Sequence, residues 1–186
     1  FDLGQLYEES GDTDKARASF EEATKLGGEA RYRIALANLS ATLGEYDRAE
    51  SIFRDLLQKS PQDTRAHQGL SFVAAARGDL VGAERILREG IQIEPNSSQL
   101  FFNLGVILER LRRLDEAALS YQAAVEKQGA FVEALTKLGD VQARLGRNNA
   151  AEQSLQRAVL LDPQRPEIWR ALGSVYFRMK SYREAE

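Results

Sequence analysis

The sequence predicts an all-α chain built as a linear array of antiparallel helix pairs, and three observations predict it. An alanine recurs in one local context at Ala16, Ala49, Ala83, Ala117, Ala151 and Ala185, in steps of 33, 34, 34, 34 and 34 residues. A period of ~34 residues is that of a helix-turn-helix array. Each period also holds two stretches with apolar residues at helical spacing. Between Phe101 and Gly129 they are Phe101, Leu104, Leu108 and Leu111, then Ala117, Tyr121, Ala124 and Val125. Lastly, Gly11, Gly44, Gly78 and Gly146 fall between the two stretches, where a left-handed residue ends a helix.

The period divides the chain into repeats 1–29, 30–63, 64–97, 98–131, 132–165 and 166–186. The first opens inside a first helix and the last stops inside a second, which reads as a segment of a longer protein. Repeat one supplies Leu3-Gly4, Tyr7, Gly11, Ala16 and Phe20; repeat two supplies Leu36-Ala37, Gly44, Ala49, Phe53 and Pro61. Repeat three has Leu70-Ser71, Gly78, Ala83, Leu87 and Pro95, and repeat four is the Phe101 stretch with its flanks. Repeat five has Leu138-Gly139, Gly146, Ala151, Leu155 and Pro163; repeat six has Trp169, Leu172-Gly173, Tyr176, Tyr182 and Ala185.

Each recurring residue type has a physical task. The leucines Leu3, Leu36, Leu70, Leu104, Leu138 and Leu172 fill the gap within a helix pair, each contributing about 1.5–3 kcal/mol when buried. The small residues after them, and the alanine series, allow a close crossing that a larger side chain would overpack by roughly 1–3 kcal/mol. Asp14, Asp47 and Asp115 stand where a carboxylate can accept unpaired amide protons at a helix start. Pro61, Pro95 and Pro163 stop second helices, and Pro166 suits a first turn. Arg112 and Lys180 stand in place of the turn glycine, and Gly28 and Gly129 in place of the terminal proline.

Composition narrows the function classes. A net charge of -3 argues against nucleic acid as the main partner, because that binding rests on neutralising phosphates. Apolar runs such as Phe72 to Ala76 are too short to span a bilayer. There is no cysteine, so no disulfide framework or thiolate site. His67 is the one histidine, and zinc needs three or four ligands, so it reads as a packing or surface residue. Carboxylate pairs such as Glu21-Glu22 and Asp115-Glu116 read as solvated helix surface, and nothing orients a catalytic triad. Arg110, Arg112 and Arg113 form a basic cluster that reads either as an exposed helix end or as a contact for an acidic tail.

These residues resemble the tetratricopeptide repeat family, whose pattern is W-x2-L-G-x2-Y, then A-x3-F, then P. Trp169, Leu172, Gly173 and Tyr176 match its first half, and Leu3-Gly4, Tyr7, Ala16 and Phe20 match in repeat one. Repeat two departs from it with Arg33 and Ser40 where the family has large aromatics. The resemblance covers essentially the whole chain. It implies a right-handed superhelical α-solenoid whose first helices line a concave groove for a peptide or protein segment, with no catalysis and no cofactor.

By place in each first helix, the resemblance puts Arg31, Ile34, Asn38, Ala41 and Thr42 on that groove in repeat two. Repeat three contributes Arg65, Gln68, Phe72, Ala75 and Ala76; repeat four contributes Gln99, Phe102, Val106, Glu109 and Arg110, with Asn103 adjoining. Repeat five gives Glu133, Thr136, Asp140, Ala143 and Arg144, and repeat six gives Glu167, Arg170, Ser174, Phe177 and Arg178. Two expectations follow. Ile34, Phe72, Phe102 and Val106 make an open apolar floor for a hydrophobic anchor, or else pack as aromatic contacts between first helices. Arg110, Arg144 and Arg178, one repeat apart, form a ladder that with Arg31 and Arg65 meets an acidic partner. The alternative is intramolecular pairing, as in the i,i+4 pair Asp140–Arg144.

Two family ligand systems do not fit the residues. A clamp for a terminal carboxylate needs lysines, but Ile34 and Gln68 stand there. A one-asparagine-per-repeat ladder is absent, since the matching positions hold Asp2, Ala35, Gly69, Asn103, Lys137 and Ala171. Three functions remain: a protein-binding scaffold, the substrate-recruiting arm of a larger enzyme or assembly machine, or a module that self-associates end to end through Trp169, Tyr176, Met179 and Tyr182.

Overall fold

The computed structural model describes Gly4, Leu6, Tyr7 and residues 10–27 and 30–185, with side chains through Lys180. It is all-α. In the first of two compact units, residues 1–94, Gly4, Leu6 and Tyr7 are helical, followed by α1 (Thr13–Gly27), α2 (Ala30–Thr42), α3 (Tyr46–Lys59), α4 (Thr64–Ala76) and α5 (Leu80–Ile93). In the second, residues 95–186, come α6 (Ser98–Arg110), α7 (Leu114–Lys127), α8 (Val132–Arg144), α9 (Asn148–Leu161) and α10 (Pro166–Ala185). Within each unit consecutive helices pack together, and α4 also packs on α2, as α10 does on α8.

The alanine period is the spine of the packing. Ala16, Ala49, Ala83, Ala117 and Ala151 are all fully buried, and so is the large residue four places on: Phe20, Phe53, Leu87, Tyr121 and Leu155. The large residue lies against the small residue of the preceding helix. A Cβ added at Gly4 would stand 2.6 Å from the Phe20 ring, and one at Gly105 2.6 Å from Tyr121. The leucines Leu36, Leu70, Leu104, Leu138 and Leu172 are buried as expected; Leu3 lies outside the described residues.

Helix ends follow their residues, with two corrections. Gly44 takes φ 78° between α2 and α3, and Arg112 takes the same left-handed conformation, φ 63°, between α6 and α7. Two backbone bonds close that turn, Arg112 N to Glu109 O at 3.0 Å and Arg113 N to Leu108 O at 2.9 Å. Lys180 does not repeat this. α10 runs unbroken through it to Ala185, where a turn was expected. A left-handed conformation costs a non-glycine residue about 1–2 kcal/mol. The stretch around Lys180 holds good helix formers, so continuing the helix avoids that cost. The side chains of Tyr182 and Ala185 lie outside the described residues.

The second correction concerns the caps. Asp14, Asp47 and Asp115 sit one residue inside their helices, in the first turn, where they complement the helix dipole instead of capping it. The capping carboxylates are Asp12, Asp63 and Asp79, which accept from the amides of Lys15, Arg65 and Gly82 at 3.3, 3.1 and 2.8 Å. His67 is buried, with Nδ1 3.2 Å from the Asp63 carbonyl, which fits a packing role. No helix among the described residues is long and apolar enough to cross a membrane.

Candidate functional site

The first unit holds an open pocket between α2 and α4. Ile34 and Asn38, one turn apart on α2, face Arg65, Gln68, Gly69 and Phe72 on α4 across a cavity of about 340 Å³. Gly69 sets how closely α4 approaches α3. A Cβ there would collide with the fully buried Phe53 ring of α3, so the absence of a side chain is what lets the two helices meet. The wall is mixed. Phe72 is 57 % exposed, whereas Ile34 is buried. Asn38 is exposed and Gln68 half-buried, which puts two amides, able to donate and accept, beside the aromatic face.

Arg65 stands at this pocket already engaged. Its Nη2 lies 2.8 Å from Asp63 Oδ2 and its Nε 3.1 Å from Oδ1. The guanidinium's hydrogen bond holds the Asp63 carboxyl below the usual carboxylate range, against the opposing effect of burial. Arg31 is likewise occupied, donating to Tyr32 Oη at 2.8 Å and lying over that ring at 4.8 Å.

On α6 of the second unit the matched apolar residues are half-buried. Phe102 is half-buried and packs tilted against Phe131, centroids 5.0 Å apart, and Tyr121, 5.6 Å apart. Both partners lie outside the first helices, so these contacts match neither an open floor nor stacking between first helices. Val106 is half-buried, and Asn103 Oδ1 accepts from Gln99 Nε2 at 3.0 Å. The carboxylate of Glu109 gathers the surrounding polar groups. Arg144 pairs with it, Tyr121 Oη donates to it at 3.1 Å, and Lys137 Nζ lies 3.6 Å away. Burial first, and then the Glu109 charge, push the Tyr121 phenol far above its usual range.

The expected arginine ladder is therefore spent largely inside the molecule. Arg144 binds Glu109, with Asp140 at 3.5 Å, and Arg178 donates to the Ala143 carbonyl at 2.8 Å. Arg110 and Arg170 are exposed. The open floor reduces to Phe72. Ile34 is covered because α2 packs tightly within the first core, and Phe102 because Phe131 closes over it. Sequence reading missed Gly69 and Asp63. Both were detectable, Gly69 as the one glycine at a position held elsewhere by Asn103 or Lys137, and Asp63 as the residue before a first helix. Among the described residues no His, Asp and Glu cluster could hold a metal.

Comparison with known proteins fits this geometry. Tetratricopeptide repeat models match residues 1–64, and again 41–104 and 108–175. The chain belongs to the tetratricopeptide repeat family. No curated protein matches at a significant level. Among solved structures it is similar to a thermophilic tetratricopeptide repeat protein of Thermus thermophilus, at 21% identity and TM-score 0.77, covering 94% of this chain and 96% of that one. It is also similar to YrrB, a tetratricopeptide repeat protein with an unusual peptide-binding site, at 20% identity and TM-score 0.65, covering 90% and 87%. MamA of Desulfovibrio magneticus RS-1 follows at 18% identity and TM-score 0.69, covering 88% and 93%. At these identities the likeness shows the fold, the α-solenoid of this family.

Proposed function

We propose that this chain is a non-catalytic protein-binding scaffold that takes an extended peptide segment on its first helices, centred on the α2–α4 pocket. The observation that carries this reading is the exposed Phe72 ring standing beside the Asn38 and Gln68 amides in an open cavity. An apolar anchor can pack on the ring while the amides bond the neighbouring peptide backbone. YrrB, which shares the fold, carries a peptide-binding site, and that supports the same use here. The internal pairing of Arg65 with Asp63 favours the expected hydrophobic anchor over the expected acidic contact at this pocket.

A peptide library displayed on phage and selected on the wild-type chain tests the reading. Selected peptides should lose most of their affinity for Phe72→Ala and Gln68→Ala. Equal affinity for both variants would remove the pocket from consideration.

A second reading is self-association through α10. Trp169, Tyr176 and Phe177 are 52, 43 and 74 % exposed. A Cβ on Gly173 would meet nothing, whereas one on Gly105 or Gly139 would meet a packed second helix. Concentration-dependent dimers in light scattering, abolished by Phe177→Ser, are the expected result; a strict monomer removes this reading. The recruiting arm of a larger assembly differs from a free scaffold only in what the parent protein attaches to it.

A further inference from the structure

We infer that α10 carries a docking stripe for an amphipathic helix of a partner protein. The helix that fits has a small residue, a large apolar residue four places on and a second small residue three beyond that. Trp169, Gly173 and Tyr176 recur at i, i+4 and i+7, so they lie along one side of α10. All three are exposed, Trp169 by 52 % and Tyr176 by 43 %. The indole is fixed by its Nε1, which donates to the Pro163 carbonyl at 2.9 Å. The stripe is built from the second unit alone and does not depend on the α2–α4 pocket.

The matched stripes on α6 and α8 show what such a face takes. There the residues are Phe101, Gly105 and Leu108, then Leu135, Gly139 and Gln142. Both glycines are buried, under α7 and α9, which pack on α6 and α8. A Cβ at Gly105 would stand 2.6 Å from Tyr121, and one at Gly139 2.5 Å from Leu155. The covering helices share one pattern, Ala117, Tyr121 and Ala124 in α7 and Ala151, Leu155 and Ala158 in α9, and all six residues are fully buried. The glycine admits the large side chain, and the flanking alanines let the two helices close around it. On α10 a Cβ at Gly173 would meet nothing, so the same seat is open.

Two observations point to another protein as the source of the helix. α6 and α8 end at Arg110 and Arg144, and a left-handed residue, Arg112 at φ 63° or Gly146 at φ 75°, then turns the chain back over the stripe. α10 instead passes the matched position, Arg178, and stays helical to Ala185, about 10 Å farther along its axis. It does not fold the chain back over Gly173. Nor does a second copy offer a fitting helix among the described residues. The pairs Ala16 and Phe20, Ala49 and Phe53, and Ala83 and Leu87 are as fully buried as those of α7 and α9.

Trp169 is the only tryptophan, so the stripe carries its own reporter. The probe is a capped peptide with the sequence of α7, Leu114–Lys127, and its control carries Tyr121→Ser. The α7 peptide should shift Trp169 emission to the blue and move the Gly173 and Tyr176 amides of the 15N-labelled chain. The control should bind about tenfold more weakly. In the chain, Gly173→Leu fills the seat, and leucine favours a helix interior over glycine. That variant should stay folded and also bind about tenfold more weakly, whereas Phe72→Ala should bind as the wild type does. The stripe is overturned by an absence of any change at about 1 mM peptide, by equal binding of the two peptides, or by shifts confined to Gly69 and Phe72. Should Gly173→Leu unfold, the comparison of the two peptides still decides. Emission that varies with chain concentration alone and ignores the peptide overturns it too, while leaving the self-association of α10 standing.

Discussion

The pocket-facing side of α4 in the first unit and the matched side of α6 in the second differ: Phe72 is exposed, whereas Phe102 and Val106 are half-buried. Where α4 has Gly69 and Ala75, the positions 34 residues on hold Asn103 and Glu109, and Lys137 follows one repeat later. The α2–α4 pocket keeps an exposed ring beside two amides. Glu109 instead draws Arg144, Lys137 and the Tyr121 hydroxyl into one network. The lesson is that a helix array can open or fill a surface pocket without altering its spine. The spine alanines Ala49, Ala83, Ala117 and Ala151 are equally buried in both halves.

The strongest way to break the contrast is Gly69→Leu. Its side chain must enter the space of the fully buried Phe53 ring, so we expect a loss of about 1–3 kcal/mol together with loss of peptide binding. Hydrogen exchange should place the weakening in residues 30–94. Urea unfolding is best followed by circular dichroism, since the single tryptophan, Trp169, lies on α10 in the other unit. Protection unchanged in α2 to α5 would mean that Phe53 has room to move.

A pair of phenylalanines measures the same contrast more directly. Phe102→Ala removes a half-buried ring held by Phe131 and Tyr121, and should cost about 2 kcal/mol, below the range for fully buried rings. Phe72→Ala, at the matched face of the open unit, should stay within about 0.5 kcal/mol while weakening peptide binding. Similar costs for the two would show that Phe72 is structural. Glu109→Ala comes next. It leaves Arg144, Lys137 and Tyr121 without their common acceptor, at about 1–2 kcal/mol after allowing for the partial exposure of Arg144.

Much of this was legible in the sequence because it is periodic. The helix pairs, the buried alanines, the left-handed glycines and the proline stops follow from residue type and register alone. The site was less legible, since register says which residues share a face but not which of them find partners inside the molecule. Arg144 has an i,i+4 partner visible in sequence, Asp140, yet its closer partner is Glu109, 35 residues away. Arg112 and Lys180 make the same replacement and fare differently. One has a second helix packed behind its turn, and the other continues α10. No local pattern distinguishes them.

A smaller effect than that of Glu109→Ala should come from Asp63→Asn, which sharpens the comparison from the open side. Asparagine can still accept the Arg65 amide and cap α4, so only the charge on Arg65's partner is removed. The Asp63 carboxyl sits below its usual range because Arg65 bonds it. Its contribution is therefore fully present above the unfolded value near 4, and is lost as pH falls through the lower folded value. With Arg65 58 % exposed, the variant should be less stable by about 0.5–1 kcal/mol near neutral pH, and the difference should vanish in strong acid. Denaturation curves at the two pH values check this. Arg65 released from Asp63 should then attract a peptide carboxylate to the α2–α4 pocket, so affinity for an acidic version of a selected peptide should rise severalfold. If it does not rise, Arg65 is too far from the bound chain to read its charge, and the pocket's preference for an apolar anchor rests on Phe72 and the two amides alone.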